Sequence, residues 1–418
     1  RGALVPLPKA FKGAVDAAGA PLPVQNIHGT VFARIDNIPA CGWTTVRNGA
    51  PVKIANEITA TPSLLENAWL RVRLDAKGAI TSVVDKVTGR EFAAGHCNAL
   101  CMYKDVPSAF DAWDVDSMYK QQPVPLDAAA DISVVAAGPL EGVIRVTRSI
   151  ARSTLTQEIA LRADSRRIDF RTVVDWRESH RLLKVNFPVN VHANDAIHEI
   201  QFGHLRRPTH ASRQFDADRF EVSNHKWTAL AEEGCGAAVL NDCKYGVNVE
   251  GSSINLTLLR SPLMPDMTAD KGVQEFTYAL YVWSGALADS GIVRQAYDLN
   301  VPVTAARGNG GTRSLFSLDA PNVVIETVKP AEDGSGDVIV RVYEAMRTRT
   351  TCTLATALPV KTAEETNMLE ADGKRIGCRG GRIALAFRPF EIKTLRLKLW
   401  ESGTGHAHRV PNNLFTSS

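Results

Sequence analysis

Apolar residues recur at every second position through most of this chain, and that period leaves few folds open. Ile168, Phe170, Thr172, Val174 and Trp176 alternate with Asp169, Arg171 and Asp175. Leu183, Val185, Phe187, Val189 and Val191 alternate with Lys184, Asn186 and Asn190. The same rhythm runs through Ile254, Leu256 and Leu258, and through Phe276, Tyr278, Leu280 and Val282. Side chains of a strand point to opposite faces in turn, so such a stretch packs one face and wets the other. Leu70, Val72 and Leu74 lead into Ala76-Lys77-Gly78 and a returning run Ile80–Lys86, a hairpin pattern. No helix longer than two turns is expected. With Gly, Pro, Asn and Asp punctuating the strands, the chain reads as all-β, built of packed sandwiches.

At 418 residues the chain has room for about two or three domains. Residues 1–58 hold short strands, clearest at Val31–Ile35 and Gly42–Val46, and look too small to complete a core alone. Residues 59–306 carry the long strands and read as one large sandwich. Arg307–Thr312, with Gly308, Gly310 and Gly311, is the linker candidate. Residues 314–399 form a smaller β module, with Val323–Val328 and Asp337–Tyr343 flanking a turn at residues 332–336. Residues 400–418 are a polar tail.

A net charge of +3 with no basic run argues against nucleic acid and against a membrane surface. No apolar run approaches the roughly 18 residues of a membrane span. The seven cysteines are scattered, and neither close pair, Cys97–Cys101 or Cys235–Cys243, has zinc-site spacing. Free thiols in a cytoplasmic protein are the expectation. The chain opens at Arg1 without a methionine, which reads as a processed product or a fragment.

The segment Met102–Tyr119 packs Asp105, Asp111, Asp114, Asp116, Trp113 and three further aromatics into eighteen residues. Trp beside carboxylates suits a sugar: the ring covers the apolar face of a pyranose while the acids accept hydroxyl hydrogen bonds. The competing reading is a tight loop whose aspartates cap their own backbone and whose tryptophan is core. If the segment is extended, Asp114 and Asp116 share one face. Arg260 is expected on the strand face of Leu256 and Leu258. There it must pair with an aspartate or emerge into a cleft to meet substrate or a carboxylate. His198, His204 and His210 lack the spacing of a helical metal face, though a strand and loop would let them converge; structural histidines are the plainer reading.

Six stretches in order, among them LLENAWLRVRLDAKGAITSVVDKVTGREF (64–92), DVPSAFDAWDVDSMY (105–119), EIQFGHLRRPTH (199–210) and RPFEIKTLRL (388–397), resemble glycoside hydrolase family 38, the zinc-dependent α-mannosidases. The resemblance implies a large mutarotase-like supersandwich flanked by smaller β-sandwich modules. It also implies an N-terminal barrel and a helical bundle that carry zinc, nucleophile and acid. No position here matches those motifs, so no catalytic residue, metal ligand or cofactor is carried over to this chain. Val282-Trp283 stands where relatives tend to have Pro-His. The implied partners are a mannose-containing oligosaccharide and the barrel and helical domains of the same enzyme. A bared barrel-facing surface would also favour a homo-oligomer. On this reading Trp113, Asp114, Asp116 and Arg260 are the substrate-binding candidates at the active-site rim.

Two further readings stay open. One is a stand-alone carbohydrate-binding β-protein. The other is a mutarotase- or lyase-type enzyme using the His198–His210 cluster with Glu199.

Overall fold

A computed structural model describes residues 1–400; the polar tail expected at residues 400–418 falls, beyond Trp400, outside the described residues. The expected strands form where the alternation places them. Arg167–Trp176, Arg181–Pro188, Ser253–Arg260 and Gly272–Ser284 are strands, and Leu70–Leu74 pairs antiparallel with Ile80–Asp85. The chain is all-β, with two large antiparallel sheets facing each other.

The nine-stranded sheet runs Ala130–Ala137, Glu141–Ile150, Ser153–Arg162, Arg167–Trp176, Gly272–Ser284, Cys235–Asn241, Trp227–Ala231, Asp195–Ile200 and Gly203–Pro208. The six-stranded sheet runs Pro123–Val124, Ala99–Lys104, Arg181–Pro188, Ser253–Arg260, Gly246–Glu250 and Val222–Ser223. Their inner faces share one core, in which Phe170, Trp176, Phe187 and Tyr278 are fully buried. Phe170 and Tyr278 stack with centroids 5.1 Å apart. The four-stranded sheet of residues 59–85 closes one side of this core through Leu65, Leu70, Val72 and Ile80.

Half of the nine-stranded sheet is buried on both faces, which is why residues 276–283 read almost without interruption as apolar. Its outer face carries Trp227, Leu240, Tyr281 and Trp283, covered by the helix Ile292–Asn300 and by Tyr343 and Ala345. Gly236 is required there: a Cβ would lie 2.0 Å from the Trp283 ring. Trp283 is thus a packing residue.

The helix corrects the expectation that none would exceed two turns: nine residues make about two and a half. Ile292, Val293 and Ala296 are its buried face. Their helical spacing is short enough to pass for a loop, and the N-cap position is Gly291, which offers no capping side chain.

Residues 316–399 form a three-stranded and a five-stranded sheet around Leu354, Ile383, Leu395 and Leu397. Val323–Pro330 and Val338–Glu344 pair about the expected turn. Near the N-terminus, Ala3–Pro6, Val24–Ile27 and Thr30–Ile35 make a three-stranded sheet, and Gly42–Trp43 pairs with Arg313–Ser314.

Candidate functional site

The segment after Lys104 leaves the six-stranded sheet, crosses its outer face and returns at Pro123. It is held at both ends by buried charge. Asp105 is buried, and its carboxylate accepts from Arg260 Nε at 2.6 Å. Arg260 Nη2 donates to the carbonyls of Asp114 at 2.6 Å and Asp111 at 3.3 Å. One arginine therefore ties the start of the loop to its middle.

This placement corrects the strand-face argument for Arg260. The register of Arg181–Pro188 with Ser253–Arg260 shifts between Leu183 and Lys184, leaving Leu258 as an extra residue. Arg260 then sits opposite Leu182, on the face of Lys184 and Thr257 rather than that of Leu256. Both Leu258 and Leu259 remain buried. The pairing with an aspartate, one of the two outcomes expected for this arginine, is present.

Asp111 joins two loops. Its Oδ2 accepts from the amides of Leu263 at 2.7 Å and Met264 at 3.1 Å and lies 3.1 Å from His180 Nε2. Desolvation pushes this carboxyl up, but the Leu263 amide and His180 outweigh it, so its pKa falls below the usual carboxylate range.

The returning limb is pinned by Lys184, whose side chain is 2% exposed. Its Nζ donates to Glu221 at 2.7 and 2.9 Å and to Thr257 Oγ1 at 2.8 Å. Tyr119 OH donates to the same glutamate at 2.6 Å and packs edge-on against Tyr103. Burial pulls the lysine pKa down while Glu221 opposes it. Lys120 adds an ion pair to Glu250.

Between these anchors the tip turns instead of running extended. Phe110 has φ +49°, and its carbonyl accepts from the amides of Trp113 and Asp114. The turn closes at Asp114, and Asp116 beyond it is extended. Trp113 is 70% exposed, which removes the reading of it as core. Asp114 is exposed, and Asp116 lies half-buried beside Ser108.

Around Trp113 the same two loops expose Val106, Phe110, Met118, Met264 and Met267. Sequence reading singled out Trp113 and Arg260 but did not single out Asp105 and Asp111 as anchors, nor His180, Lys184, Glu221 and the 264–267 loop. The signal for that loop was Leu-Met-Pro-Asp-Met following a strand end, apolar residues with no alternation to bury them.

The histidines do not converge. Glu199 pairs across its hairpin with His204, so His198 points to the opposite face of the sheet. His198 is buried, 3.0 Å from Thr228 Oγ1. His204 packs against Trp227 and Phe390, and His210 sits outside beside Ser212. Glu199 is committed to Lys226 at 2.9 Å. A strand sends alternate residues to opposite sides, so a six-residue spacing broken by a turn cannot gather all three. The lyase-type constellation is thereby lost.

Burial, aided by Arg207, pushes His198 down to about 3, and burial lowers His204 as well. A depressed folded pKa means that below 6.5 the unfolded chain binds protons that the folded one does not. Stability is therefore full above pH 6.5 and falls by up to about 1.4 kcal/mol per pH unit below it for each such group. Urea midpoints between pH 7.5 and 5 should show this slope, and His198→Gln should reduce it to the His204 contribution. An unchanged slope in that variant would mean that His198 is protonated in the fold.

Among the described residues no three His, Cys, Asp or Glu side chains come together as a metal-ligand group, and no helix is long and apolar enough to cross a membrane. All seven cysteines are free.

Two family models match. Residues 65–268 match the glycosyl hydrolases family 38 C-terminal domain, and residues 322–395 the family 38 C-terminal beta sandwich domain. Human Alpha-mannosidase 2C1 is 40% identical over 361 residues, which is 84% of this chain and 35% of that protein. Alpha-mannosidase G of Dictyostelium discoideum is 32% identical over 400 residues, 90% of this chain and 36% of the relative. The chain thus spans about a third of the length of the curated relatives it matches. The crystal structure of an alpha-mannosidase from Enterococcus faecalis V583 superposes with TM-score 0.74 over 92% of this chain and 51% of that one. At 16% identity, that likeness speaks for the fold alone.

Proposed function

Because this chain belongs to glycosyl hydrolase family 38, matching its C-terminal domains, we propose that it serves as the non-catalytic β portion of a zinc-dependent retaining α-mannosidase acting on terminal mannosides of glycans. The observation that carries the reading is the anchored loop presenting Trp113. Trp113 would cover the apolar face of a sugar, and Asp114 would accept its hydroxyl hydrogen bonds. Asp116 would support the same rim from beside Ser108. Arg260 spends Nε and Nη2 on Asp105 and the loop carbonyls, so its role is that of a positioning residue.

On this reading zinc and the chemistry it supports belong to the barrel and helical parts of the enzyme. The contribution of this portion is to hold a wall of the site rigidly and to keep water from the sugar. The same reading makes the isolated 418-residue chain inactive and, on its free thiols, places it in the cytoplasm. It also divides the chain into units at residues 1–58, 59–306 and 314–399 and allows a homo-oligomer.

A second reading has its own observation. Met118, Met264 and Met267 beside Phe110 give the surface a character suited to protein as well as to sugar. The rim would then dock against the rest of the enzyme.

One experiment addresses both. The polypeptide carrying this sequence is purified from its source, where a mass more than twice 45.4 kDa is expected, and assayed on an aryl α-mannoside. Trp113→Ala should lower kcat/KM about tenfold, mostly through KM if the ring stacks on sugar. Loss of assembly with KM unchanged would favour the docking reading. Unchanged kinetics and assembly would remove Trp113 from both.

A further inference from the structure

A second tryptophan is exposed on a backbone that leaves it little freedom. Trp69, 38% exposed, sits in the turn between the strands Leu64–Glu66 and Leu70–Leu74. Asn67, fully buried, fixes that turn. Its Oδ1 accepts from the amides of Trp69 at 2.8 Å and Leu70 at 2.7 Å. Its Nδ2 donates to the carbonyls of Arg162 at 2.7 Å and Ser165 at 2.8 Å. The Trp69 carbonyl in turn accepts from the Lys86 amide at 2.8 Å.

The ring is held as firmly as its backbone. The guanidinium carbon of Arg166 lies 4.4 Å from the ring centroid, within cation–π range. Arg166 Nε donates to Asp85 Oδ2 at 3.2 Å. Asp85 is fully buried, and its Oδ1 accepts from the amides of Val87 at 2.8 Å and Thr88 at 3.2 Å. With one face of the indole under the guanidinium, the exposure of Trp69 falls on the other face and the ring edge. The Arg166 side chain is itself 27% exposed. Among the described residues its two Nη groups donate to no protein atom, and neither is buried.

This stack lies away from the Trp113 loop. The strand Arg167–Trp176 begins next to Arg166 and leads, after Trp176, into the turn carrying His180, which meets Asp111. Its ten residues span about 30 Å. The two tryptophans therefore stand at opposite ends of the sandwich.

We propose that Trp69 and Arg166 form an auxiliary platform that binds a neutral pyranose. The C–H face of the sugar stacks on the open face of the indole, and the Arg166 Nη groups donate to its oxygens. Asp85 already balances Arg166, so an anion finds no unmet charge here. What stays unmet is an apolar ring face beside free donors, and a sugar satisfies both. The inference does not rest on the reading of the Trp113 rim, since it needs neither that loop nor the catalytic parts of an enzyme.

The test follows the indole N–H resonance of Trp69 in the isotope-labelled protein, assigned by its absence from Trp69→Phe. The probes are methyl α-mannopyranoside and methyl β-glucopyranoside, with glycerol at equal hydroxyl concentration as the control. A saturable shift with a Kd of about 1–10 mM is expected for at least one glycoside, and none for glycerol. Trp113→Ala should leave that shift in place. Arg166→Lys, which keeps a cation beside Asp85 but removes the planar stack, should weaken binding about fivefold. No saturable shift with either glycoside up to about 50 mM, or an equal shift with glycerol, would overturn the proposal. A shift lost in Trp113→Ala would assign the response to the rim and overturn it as well. An unchanged Kd in Arg166→Lys would overturn the assignment to the stacked pair.

Discussion

Replacing Glu221 with alanine should cost about 3–5 kcal/mol of unfolding free energy, because it leaves Lys184 charged and unpaired in the sheet. The lysine side chain is 2% exposed and the glutamate 17%, so the desolvation burden sits almost entirely on the cation. Lys184→Met should be milder: it removes the group that suffers from burial and leaves a carboxylate that still reaches water and Tyr119 OH. Tyr119→Phe, which deletes one hydrogen bond and keeps the ring against Tyr103, should cost about 1 kcal/mol. Urea midpoints at constant pH check all three. If Glu221→Ala and Lys184→Met cost the same, the pair contributes by packing rather than by charge compensation.

The second large effect is expected at Arg260. Arg260→Met leaves the Asp105 carboxylate buried without its cation and releases the carbonyls of Asp111 and Asp114. A loss of about 3 kcal/mol follows from the unpaired charge. The loop should also become open to proteolysis between Val106 and Met118, since its first limb has lost its anchor. Adding Asp105→Asn should recover most of the stability, because a neutral amide tolerates that burial better. It should not recover the protease resistance, because the carbonyls of the tip still lack a donor. If stability stays lost in the double variant, the arginine matters through its packed stem. If the single variant keeps protease resistance, Asp111 alone holds the tip through Leu263, Met264 and His180.

The strands were legible because a sandwich leaves a strand one wet face, and period two follows directly. Residues 167–176 and 181–188 needed nothing else. Arg260 shows where that logic stops. A single extra residue at Leu258 moves every later side chain to the other face, and no local pattern announces it when Leu258 and Leu259 are both apolar. The loop tip was legible in composition and not in shape. Its turn depends on Phe110 adopting positive φ and on Asp111 reaching a loop about 150 residues away, and neither leaves a trace in the local sequence. The family resemblance rested on segment order. It gave the architecture without indicating which aspartate holds the loop and which is free.

The doubly buried half of the nine-stranded sheet also sets an order of events at the ribosome. Trp227 and Leu240 emerge well before the helix Ile292–Asn300 and the residues Tyr343 and Ala345 that cover them. From Trp227 to Ala345 is 345 − 227 = 118 positions, or roughly 6–24 s of synthesis at common elongation rates. For that interval a tryptophan-bearing sheet face stands open to other nascent chains. Stalled ribosome complexes ending near residue 312 should bind a hydrophobic dye or a holdase, and complexes extended past residue 400 should not; equal binding would mean that the face is shielded by something other than the late-arriving segments. If the complexes differ in this way, expression yield of this protein should depend on a waiting time as well as on the stability of the finished fold.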